Sequence, residues 1–203
     1  MNIAIIGTGN VGGALATKWA AKGHRIYLGV RDTVQFKGQE LLKNSNTTAS
    51  SIKDAVAVSE VILVAIPPAA IFGIREQMGD VSGKIIIDAT NSVAKGPGDY
   101  KTVFHFLTEQ TGAEIVKCFN TTGFENMLDP VYQNEAIDMF MAGDSEKAKT
   151  VATQLALDCG FGSCIDFGGA AKVELLEQLA LCWINLAMMQ RQGRNMAFKI
   201  VRR

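Results

Sequence analysis

The stretch Ile3-Ala4-Ile5-Ile6-Gly7-Thr8-Gly9-Asn10-Val11-Gly12 decides the fold of this chain. Its first four residues are apolar, which indicates a buried strand that stops at a glycine. The residues that follow, Val11–Lys22, carry apolar side chains at helical spacing, and Gly23 stands where a helix C-cap is expected. A strand, a glycine-rich turn and a helix in direct succession predict the opening of a βαβ unit.

The glycine spacing of this turn, Gly7-x-Gly9-x-x-Gly12, matches the dinucleotide-binding fingerprint. In that fingerprint the first glycine permits a tight turn, the second lets a pyrophosphate approach the backbone, and the third lets helix and strand pack closely. The phosphates then lie at a helix N-terminus, where free N–H groups attract anions. Because the motif follows a strand and opens a helix, it predicts a bound dinucleotide rather than a turn without a ligand.

Strand and helix patterns alternate through the first 120 residues. The predicted strands are Ile3–Ile6, Ile26–Val30, Thr47–Ala49, Val61–Ile66, Lys84–Asp88 and Glu114–Cys118. The predicted helices are Val11–Lys22, Gln35–Lys43, Ser51–Val58, one after Pro67-Pro68, and Thr102–Gln110. This order predicts an α/β fold, a Rossmann-like doubly wound parallel sheet.

The alternation loosens after residue 120. Two further strands are expected at Ile137–Met141 and Ser163–Asp166, with a helix at Ser145–Leu157 between them and a long C-terminal helix over Ala170–Gln190. We therefore expect one dinucleotide-binding domain over residues 1–203. Residues 1–120 would form its core, and residues 121–203 would add the C-terminal strands and the closing helix.

The charge balance excludes some classes of partner. The chain has 203 residues, with 20 Lys+Arg and 20 Asp+Glu, a formal net charge of zero. A nucleic-acid-binding protein normally has a basic face, so we do not expect this chain to bind nucleic acid. Five cations and no acid lie after residue 190, namely Arg191, Arg194, Lys199, Arg202 and Arg203. Residues 1–190 therefore carry −5, and we interpret the cations as a helix end followed by a frayed tail.

The cysteines and the hydropathy pattern indicate a soluble cytoplasmic protein. Cys118, Cys159, Cys164 and Cys182 have neither metal-ligand nor redox spacing, so we expect reduced, buried thiols and no metal site. No uncharged apolar run approaches the ~20 residues of a membrane-spanning helix, so no membrane segment is expected.

The end of the second predicted strand bears on the choice between NAD and NADP. An acidic residue there binds the ribose hydroxyls of NAD, whereas NADP binders place an arginine near the 2′-phosphate. If the strand ends at Leu28, Gly29 takes the acidic position and Arg31 reaches the phosphate; if it ends two or three residues later, Asp32 becomes a ribose ligand. The prediction favours NADP(H).

Six segments in this order resemble one enzyme family. They are Gly7–Gly12, Gly29-Val30-Arg31, Ala65-Ile66-Pro67, Asp88-Ala89-Thr90-Asn91, Lys117-Cys118-Phe119-Asn120 and Asp166-Phe167-Gly168-Gly169-Ala170. Together they resemble the deazaflavin (coenzyme F-420)-dependent NADP oxidoreductases, which transfer hydride between reduced deazaflavin and NADP. The cytoplasmic NADPH-binding domain of the six-transmembrane metalloreductases is similar to the same pattern.

The resemblance implies a set of cofactor-binding residues at strand ends: Gly7, Thr8, Gly9, Asn10, Val11, Gly12, Val30, Arg31, Ala65, Ile66, Pro67, Asn91 and Cys118. The glycine turn would hold the pyrophosphate, and Val30 and Arg31 would meet the adenosine phosphate. The family more often has Ser or Thr where Val30 stands. Asn91 and Cys118 would lie near the nicotinamide and its ribose.

No acid–base dyad, metal cluster or nucleophile with a base is apparent in the sequence, and no catalytic residue is assigned. Direct hydride transfer between two ring systems depends on orientation more than on protonation. We therefore expect NADP(H) with a deazaflavin or flavin as second substrate, walled by the loops after Asn91 and Asn120. The alternatives are an NADP-dependent reductase of a small carbonyl or imine and a non-catalytic NADP(H) sensor.

The remaining polar residues are given structural roles. His105 is expected to be a polar helix residue and His24 a capping cation, while Asp138, Asp144 and Asp158 are expected at the solvated surface. The apolar residues of the C-terminal helix surround much of its circumference: Leu175, Leu176, Leu179, Trp183, Leu186 and Met189. One buried stripe does not account for them, so we expect a homodimer through this helix.

Overall fold

The apolar runs of the sequence assemble into one eight-stranded sheet in the computed structural model, which describes residues 1–93 and 95–203. Its strands are β1 (Asn2–Ile6), β2 (Arg25–Val30), β3 (Thr47–Ser51), β4 (Val61–Val64), β5 (Ile85–Asp88), β6 (Glu114–Cys118), β9 (Asp138–Ala142) and β10 (Ser163–Asp166). A separate hairpin, not expected from the sequence, pairs β7 (Val131–Tyr132) with β8 (Glu135–Ala136).

The strand order is β10-β9-β6-β5-β4-β1-β2-β3. The strands from β1 to β6 are all parallel, so the chain starts in the middle of the sheet and winds outward in both directions. β9 runs antiparallel to β6, and β10 is parallel to β9. The predicted Rossmann-like doubly wound sheet with C-terminal strands is confirmed.

Helices cover both faces of the sheet. They are α1 (Asn10–Ala21), α2 (Ile52–Val58), α3 (Ile71–Met78), α4 (Val103–Gln110), α5 (Phe124–Leu128), α6 (Glu146–Cys159) and α7 (Val173–Ile184). α1 and α6 pack on one face, and α2, α3, α4 and α7 pack on the other. Because both faces are covered, the central strands β1, β4 and β5 are apolar at nearly every position, as in parallel sheets generally. No helix in the described residues is long and apolar enough to cross a membrane.

Two predicted helices differ in detail. The polar stretch Gln35–Lys43 forms only a short 3-10 helix at Gln39–Lys43. The C-terminal helix is composite, since a 3-10 turn at Ala170–Lys172 leads into α7, and a π-helical turn at Asn185–Met189 follows it.

The expectation of a frayed basic tail is wrong for residues 194–200. Arg194 forms an ion pair with Glu125, with 3.0 Å between Nη2 and Oε2, and its guanidinium lies 5.2 Å from the Trp183 ring centroid. The carbonyl oxygen of Met196 accepts hydrogen bonds from Trp183 Nε1 and Asn126 Nδ2 at 2.7 and 2.8 Å. The tail therefore packs against α5 and α7, and two of its cations, Arg194 and Lys199, pair with acids far away in sequence.

Two of the three aspartates expected at the solvated surface are also misassigned. Asp138 is buried and accepts hydrogen bonds from Ser163 Oγ and the Ile200 backbone N–H, both at 2.7 Å. Asp158 is partly buried and lies 3.0 Å from His24 Nε2, so His24 contacts a carboxylate rather than capping a helix. Asp144 is exposed, as expected.

The thiols are not uniformly buried either. Cys118 and Cys159 are fully buried and Cys164 partly so, but Cys182 is exposed on α7. All four are free thiols.

Candidate cofactor-binding site

The first part of the site lies where the chain leaves β1 and β4, the neighbouring strands at which the sheet reverses its winding direction. Ligands of open α/β sheets bind in the crevice at such a switch point. Gly7 follows β1 with φ +103°, and a Cβ on it would overlap the Ala65 carbonyl oxygen after β4. A Cβ on Gly12 would overlap the Gly7 carbonyl oxygen, whereas a Cβ on Gly9 meets nothing within 4 Å. Gly9 therefore lies on open space, where a pyrophosphate would approach.

A cleft of about 1160 Å³ runs along this edge of the sheet. The predicted site residues in its wall are Gly7, Thr8, Gly9, Val30, Arg31, Ala65, Ile66 and Pro67. α3 contributes the opposite wall through Gly73, Ile74 and Gln77. Asn10, Val11 and Gly12 form the first turn of α1, and Asn91 and Cys118 lie farther along the sheet edge. Their cofactor contacts stay predictions.

The cleft has a cationic end beyond β2. β2 ends at Val30, the later of the two boundaries considered, at which Asp32 would be a ribose ligand. The Asp32 carboxylate instead accepts hydrogen bonds from the backbone N–H groups of Val34 and Gln35 at 2.8 and 3.1 Å. These bonds hold the pKa of the Asp32 carboxyl below its usual value. Its oxygen Oδ1 is therefore engaged in the turn, and Arg31 lines the cleft beside it.

Lys37 is a second cation at this end that sequence reasoning missed. It lines the cleft with Arg31, and its carbonyl oxygen accepts a hydrogen bond from Thr8 Oγ1. This bond joins the loop after β2 to the glycine turn. A lysine six residues beyond Arg31 was the available signal, but the backbone path that brings it to the cleft is not readable from the sequence.

The second part of the site lies at the ends of β5 and β6. Asn91 Nδ2 donates to the Asn120 carbonyl oxygen at 2.8 Å, and Asn120 Nδ2 donates to Asn91 Oδ1 at 2.9 Å. The two loops expected to wall the second pocket are therefore joined to each other. Between β6 and Asn120, Phe119 adopts φ 64°, a left-handed conformation that is strained for a bulky residue, and packs edge-on against Trp19. Such strain is concentrated at functional sites in proteins.

A buried ionic cluster beneath these loops was not predicted. Lys117 Nζ lies 3.0 Å from Asp88 Oδ2 and 2.5 Å from Glu177 Oε1, and the side chains of Lys117 and Asp88 are fully buried. Glu177 Oε2 also accepts a hydrogen bond from the Ser92 backbone N–H at 2.9 Å. α7 is thus tied through Glu177 both to β6 and to the loop that carries Asn91.

The Cys118 side chain is turned away from the cleft. It packs in the core beneath α1 and α6, with its Sγ 3.9 Å from that of Cys164. Burial raises the pKa of the Cys118 thiol well above its usual value. Only its backbone is left to contact a cofactor.

The two histidines and the metal-ligating residue types form no further centre. His105 Nδ1 lies 2.8 Å from Thr102 Oγ1 at the start of α4, consistent with the expected helix residue. In residues 1–93 and 95–203, no group of three or more His, Cys, Asp or Glu side chains is placed to hold a metal ion.

Comparison with known proteins agrees with this geometry. A family model described as "NADP oxidoreductase coenzyme F420-dependent" matches residues 2–92. The F420-dependent NADP reductase of Methanothermobacter thermautotrophicus is 27% identical over 98% of this chain and 94% of the relative. The metalloreductase STEAP3 of Rattus norvegicus is 24% identical over 88% of this chain but 36% of its own length.

Solved structures extend the similarity to the whole fold. A crystal structure of a provisionally named F420-dependent NADP reductase from Arthrobacter sp. FB24 has a TM-score of 0.88 at 25% identity and covers 100% of both chains. A reductive aminase from Aspergillus terreus has a TM-score of 0.69 at 20% identity, and the match covers 94% of this chain and 62% of the aminase chain. This similarity shows the fold alone. The resemblance found in the sequence is confirmed, and this chain is similar over nearly its whole length to proteins named as F420-dependent NADP reductases.

Proposed function

We propose that this chain binds NADP(H) in the cleft at the switch point and transfers hydride between its nicotinamide and a deazaflavin or flavin ring. The observation that carries the proposal is the glycine turn, which leaves open space above Gly9 beside a cleft with Arg31 and Lys37 at one end. An anionic dinucleotide fits this arrangement, since backbone N–H groups at a helix N-terminus bind phosphates and cations bind a 2′-phosphate. The relatives named as F420-dependent NADP reductases support the same activity.

The residues at each position have distinct tasks in this proposal. Arg31 and Lys37 bind the 2′-phosphate, the turn from Gly7 to Val11 binds the pyrophosphate, and Ala65–Pro67 flank the cofactor. When bound, the dinucleotide supplies the hydride at its nicotinamide ring. The joined loops at Asn91 and Asn120 hold the nicotinamide ring in position. This matters because hydride transfer needs the reacting atoms about 3–3.5 Å apart. No side chain is assigned a proton-transfer role.

Stoichiometric mixing tests the proposal. The purified protein is mixed without oxygen with NADPH and oxidised deazaflavin, and the absorbances of both are followed. We expect one NADPH to be oxidised for each deazaflavin reduced, with parallel reactions using FMN and FAD as the flavin test. Turnover only with a panel of small carbonyls and imines would replace this proposal with the alternative reductase. Tight NADPH binding with no turnover in any mixture would favour the sensor.

The assembly and location of the protein are further parts of the proposal. We infer one NADP-binding domain over residues 1–203 that acts in the cytoplasm as a homodimer through α7. Exposed apolar side chains on and after this helix, among them Leu175 and Met189, support the dimer. Sedimentation equilibrium is expected to give twice the 21.8 kDa chain mass, and Leu175→Glu is expected to give the single mass. A single mass for the unchanged protein would contradict the dimer.

A further inference from the structure

The two cations at the end of the cleft differ in how their backbones are supported. Arg31 directly follows β2, and the hydrogen-bonded ladders of β2 with β1 and β3 reach Gly29 and Val30 just before it. Lys37 stands six residues farther along, in a loop that precedes the 3-10 turn at Gln39–Lys43. The position of Lys37 therefore depends on contacts that the loop itself makes.

The first half of this loop is held by its own turn and by the core. Asp32 Oδ1 accepts hydrogen bonds from the backbone N–H groups of Val34 and Gln35 at 2.8 and 3.1 Å. Phe36 is half-buried and packs against the apolar core on the α1 side of the sheet. These contacts fix the path of the loop up to Phe36, but they do not involve Lys37.

The second half of the loop is fastened to the glycine turn through Thr8. The Thr8 hydroxyl donates a hydrogen bond to the Lys37 carbonyl oxygen. The next residue, Gly38, is buried with φ +100°, and a Cβ on it would lie 3.1 Å from the Thr8 Cβ and from the Thr8 carbonyl oxygen. Glycine thus allows the loop backbone both the left-handed conformation and the close approach to Thr8.

We propose that Thr8 is a positioning residue for NADP preference: its hydroxyl holds the backbone of Lys37 so that the lysine ammonium meets the 2′-phosphate. This inference rests on the proposed function, in which Arg31 and Lys37 bind that phosphate. We call the hydrogen bond from Thr8 Oγ1 to the Lys37 carbonyl oxygen the Thr8 anchor.

The chemistry of the hydroxyl separates this role from pyrophosphate binding. A threonine hydroxyl has one hydrogen to donate, and both a carbonyl oxygen and a phosphate oxygen are acceptors. The hydroxyl that bonds Lys37 therefore has no hydrogen left for the pyrophosphate, which the turn binds through backbone N–H groups. The Thr8 side chain acts on the 2′-phosphate through the loop rather than on the pyrophosphate beside it.

The anchor favours one cofactor because only that cofactor uses Lys37. A lysine on a loop without a fixed backbone loses more conformational freedom when it binds a phosphate. The Thr8 anchor fixes the backbone of Lys37 before the cofactor arrives, so less freedom is lost on binding. NADH has no 2′-phosphate for the ammonium to bind, so its affinity does not depend on the anchor.

Titration calorimetry with NADPH and with NADH tests the anchor in Thr8→Val, which replaces the hydroxyl with a methyl group of similar size. We expect NADPH to bind about fivefold more weakly, the loss typical of one hydrogen bond, and NADH to stay within about twofold. Lys37→Met alone should weaken NADPH binding about tenfold. Adding Thr8→Val to Lys37→Met should then change NADPH binding by less than about twofold, because no ammonium is left to position.

Two variants serve as controls. Thr17→Val also removes a hydroxyl that donates to a carbonyl oxygen, that of Gly13 at 2.8 Å, but this bond lies within α1. Both cofactors should bind Thr17→Val as they bind the unchanged protein. Thr8→Ser keeps the donor and is expected to retain the NADPH preference of the unchanged protein. If Thr8→Val does not fold, Thr8→Ala takes its place with the same expectation.

The outcomes distinguish the anchor from the function on which it rests. Equal losses of NADPH and NADH binding in Thr8→Val would mean that the hydroxyl binds the shared pyrophosphate, and would overturn the anchor alone. An unchanged ratio of the two affinities, or a further fivefold loss when Thr8→Val is added to Lys37→Met, would overturn it as well. Failure of the unchanged protein to bind NADPH would overturn the proposed function together with the anchor.

Discussion

The three glycines of the turn after β1 have different roles. Gly7 and Gly12 are required by the fold, because a Cβ on either would overlap a backbone carbonyl oxygen. Gly9 has an extended backbone with φ −75° and open space around its Cα, so the folded chain itself does not require a glycine there. Only the proposed cofactor requires a glycine at this position.

Alanine at these two kinds of position is therefore expected to behave differently. Gly12→Ala should lower the free energy of unfolding by about 2–3 kcal/mol, because helix α1 must move away from β1. Gly9→Ala should change it by less than about 0.5 kcal/mol but weaken NADPH binding at least ~10-fold, because the methyl group occupies the place of the pyrophosphate. Urea unfolding and calorimetry measure both quantities. Unchanged NADPH binding in Gly9→Ala would contradict the cofactor position.

Arg31 is the residue on which the preference for NADP depends. Because charge-assisted hydrogen bonds to a phosphate are strong but screened at an exposed site, Arg31→Gln is expected to weaken NADPH binding about tenfold. NADH binding should stay within about twofold, because NADH lacks the 2′-phosphate. Lys22→Gln, which removes the same charge at the far end of α1, serves as control. An equal loss for NADH would mean that Arg31 binds a part that both cofactors share.

Helix α7 is attached to the sheet by charge as well as by apolar packing. Val173 and Leu176 pack in the core, while Glu177 reaches Lys117 on β6 and the loop after β5. Buried ion pairs contribute little net stability compared with apolar side chains, but removal of one partner leaves an uncompensated charge. The cluster therefore fixes the position of α7 more than it adds stability.

Removal of the cation tests this attachment. Lys117→Met leaves the carboxylates of Asp88 and Glu177 buried without a counter-charge and is expected to cost about 3–5 kcal/mol of unfolding free energy. Lys101→Met breaks an exposed pair with Glu174 and should cost less than about 1 kcal/mol. Equal losses in urea unfolding would show that the buried cluster has no special role.

The chain as a whole is closed by its C-terminal segment. Residues 194–200 bring the tail to α5, α7 and β9 through Arg194, Met196 and Ile200. Burial raises the pKa of Glu125, but the hydrogen bond from Arg194, a backbone hydrogen bond and the charge of Arg194 together hold the pKa below the usual value. The tail thus stabilises a carboxylate that lies 69 residues away in sequence.

Arg194→Ala is expected to lower the free energy of unfolding at pH 7 by about 1–2 kcal/mol, through the lost ion pair and the lost contact with Trp183. Since the pKa of Glu125 is lower in the folded state, this stabilisation is present above the unfolded pKa and is lost as the pH falls through the folded value. The difference between the two proteins should therefore shrink below about pH 4.

The exposed substitution Arg203→Ala is the control and should have little effect at any pH. A constant difference between Arg194→Ala and the unchanged protein from pH 7 to pH 3 would contradict the role of Glu125.

The sequence by itself determined the sheet and the cofactor turn. Strand runs such as Ile3–Ile6 and the Gly7–Gly12 spacing are local signals, because burial on both faces and a tight turn each restrict residues that are adjacent in the chain. The direction of β9 was not readable, because a mostly apolar strand has the same composition whether it runs parallel or antiparallel.

Only the tertiary structure decided which distant side chains meet. Lys117 pairs with residues 29 and 60 positions away, and Asp138 is bonded by a residue 62 positions away. The side chains of Asn91 and Asn120 likewise meet although they are 29 residues apart in sequence. Such contacts depend on how loops and helices pack across the sheet edge, and no local pattern of charge or hydropathy encodes that packing.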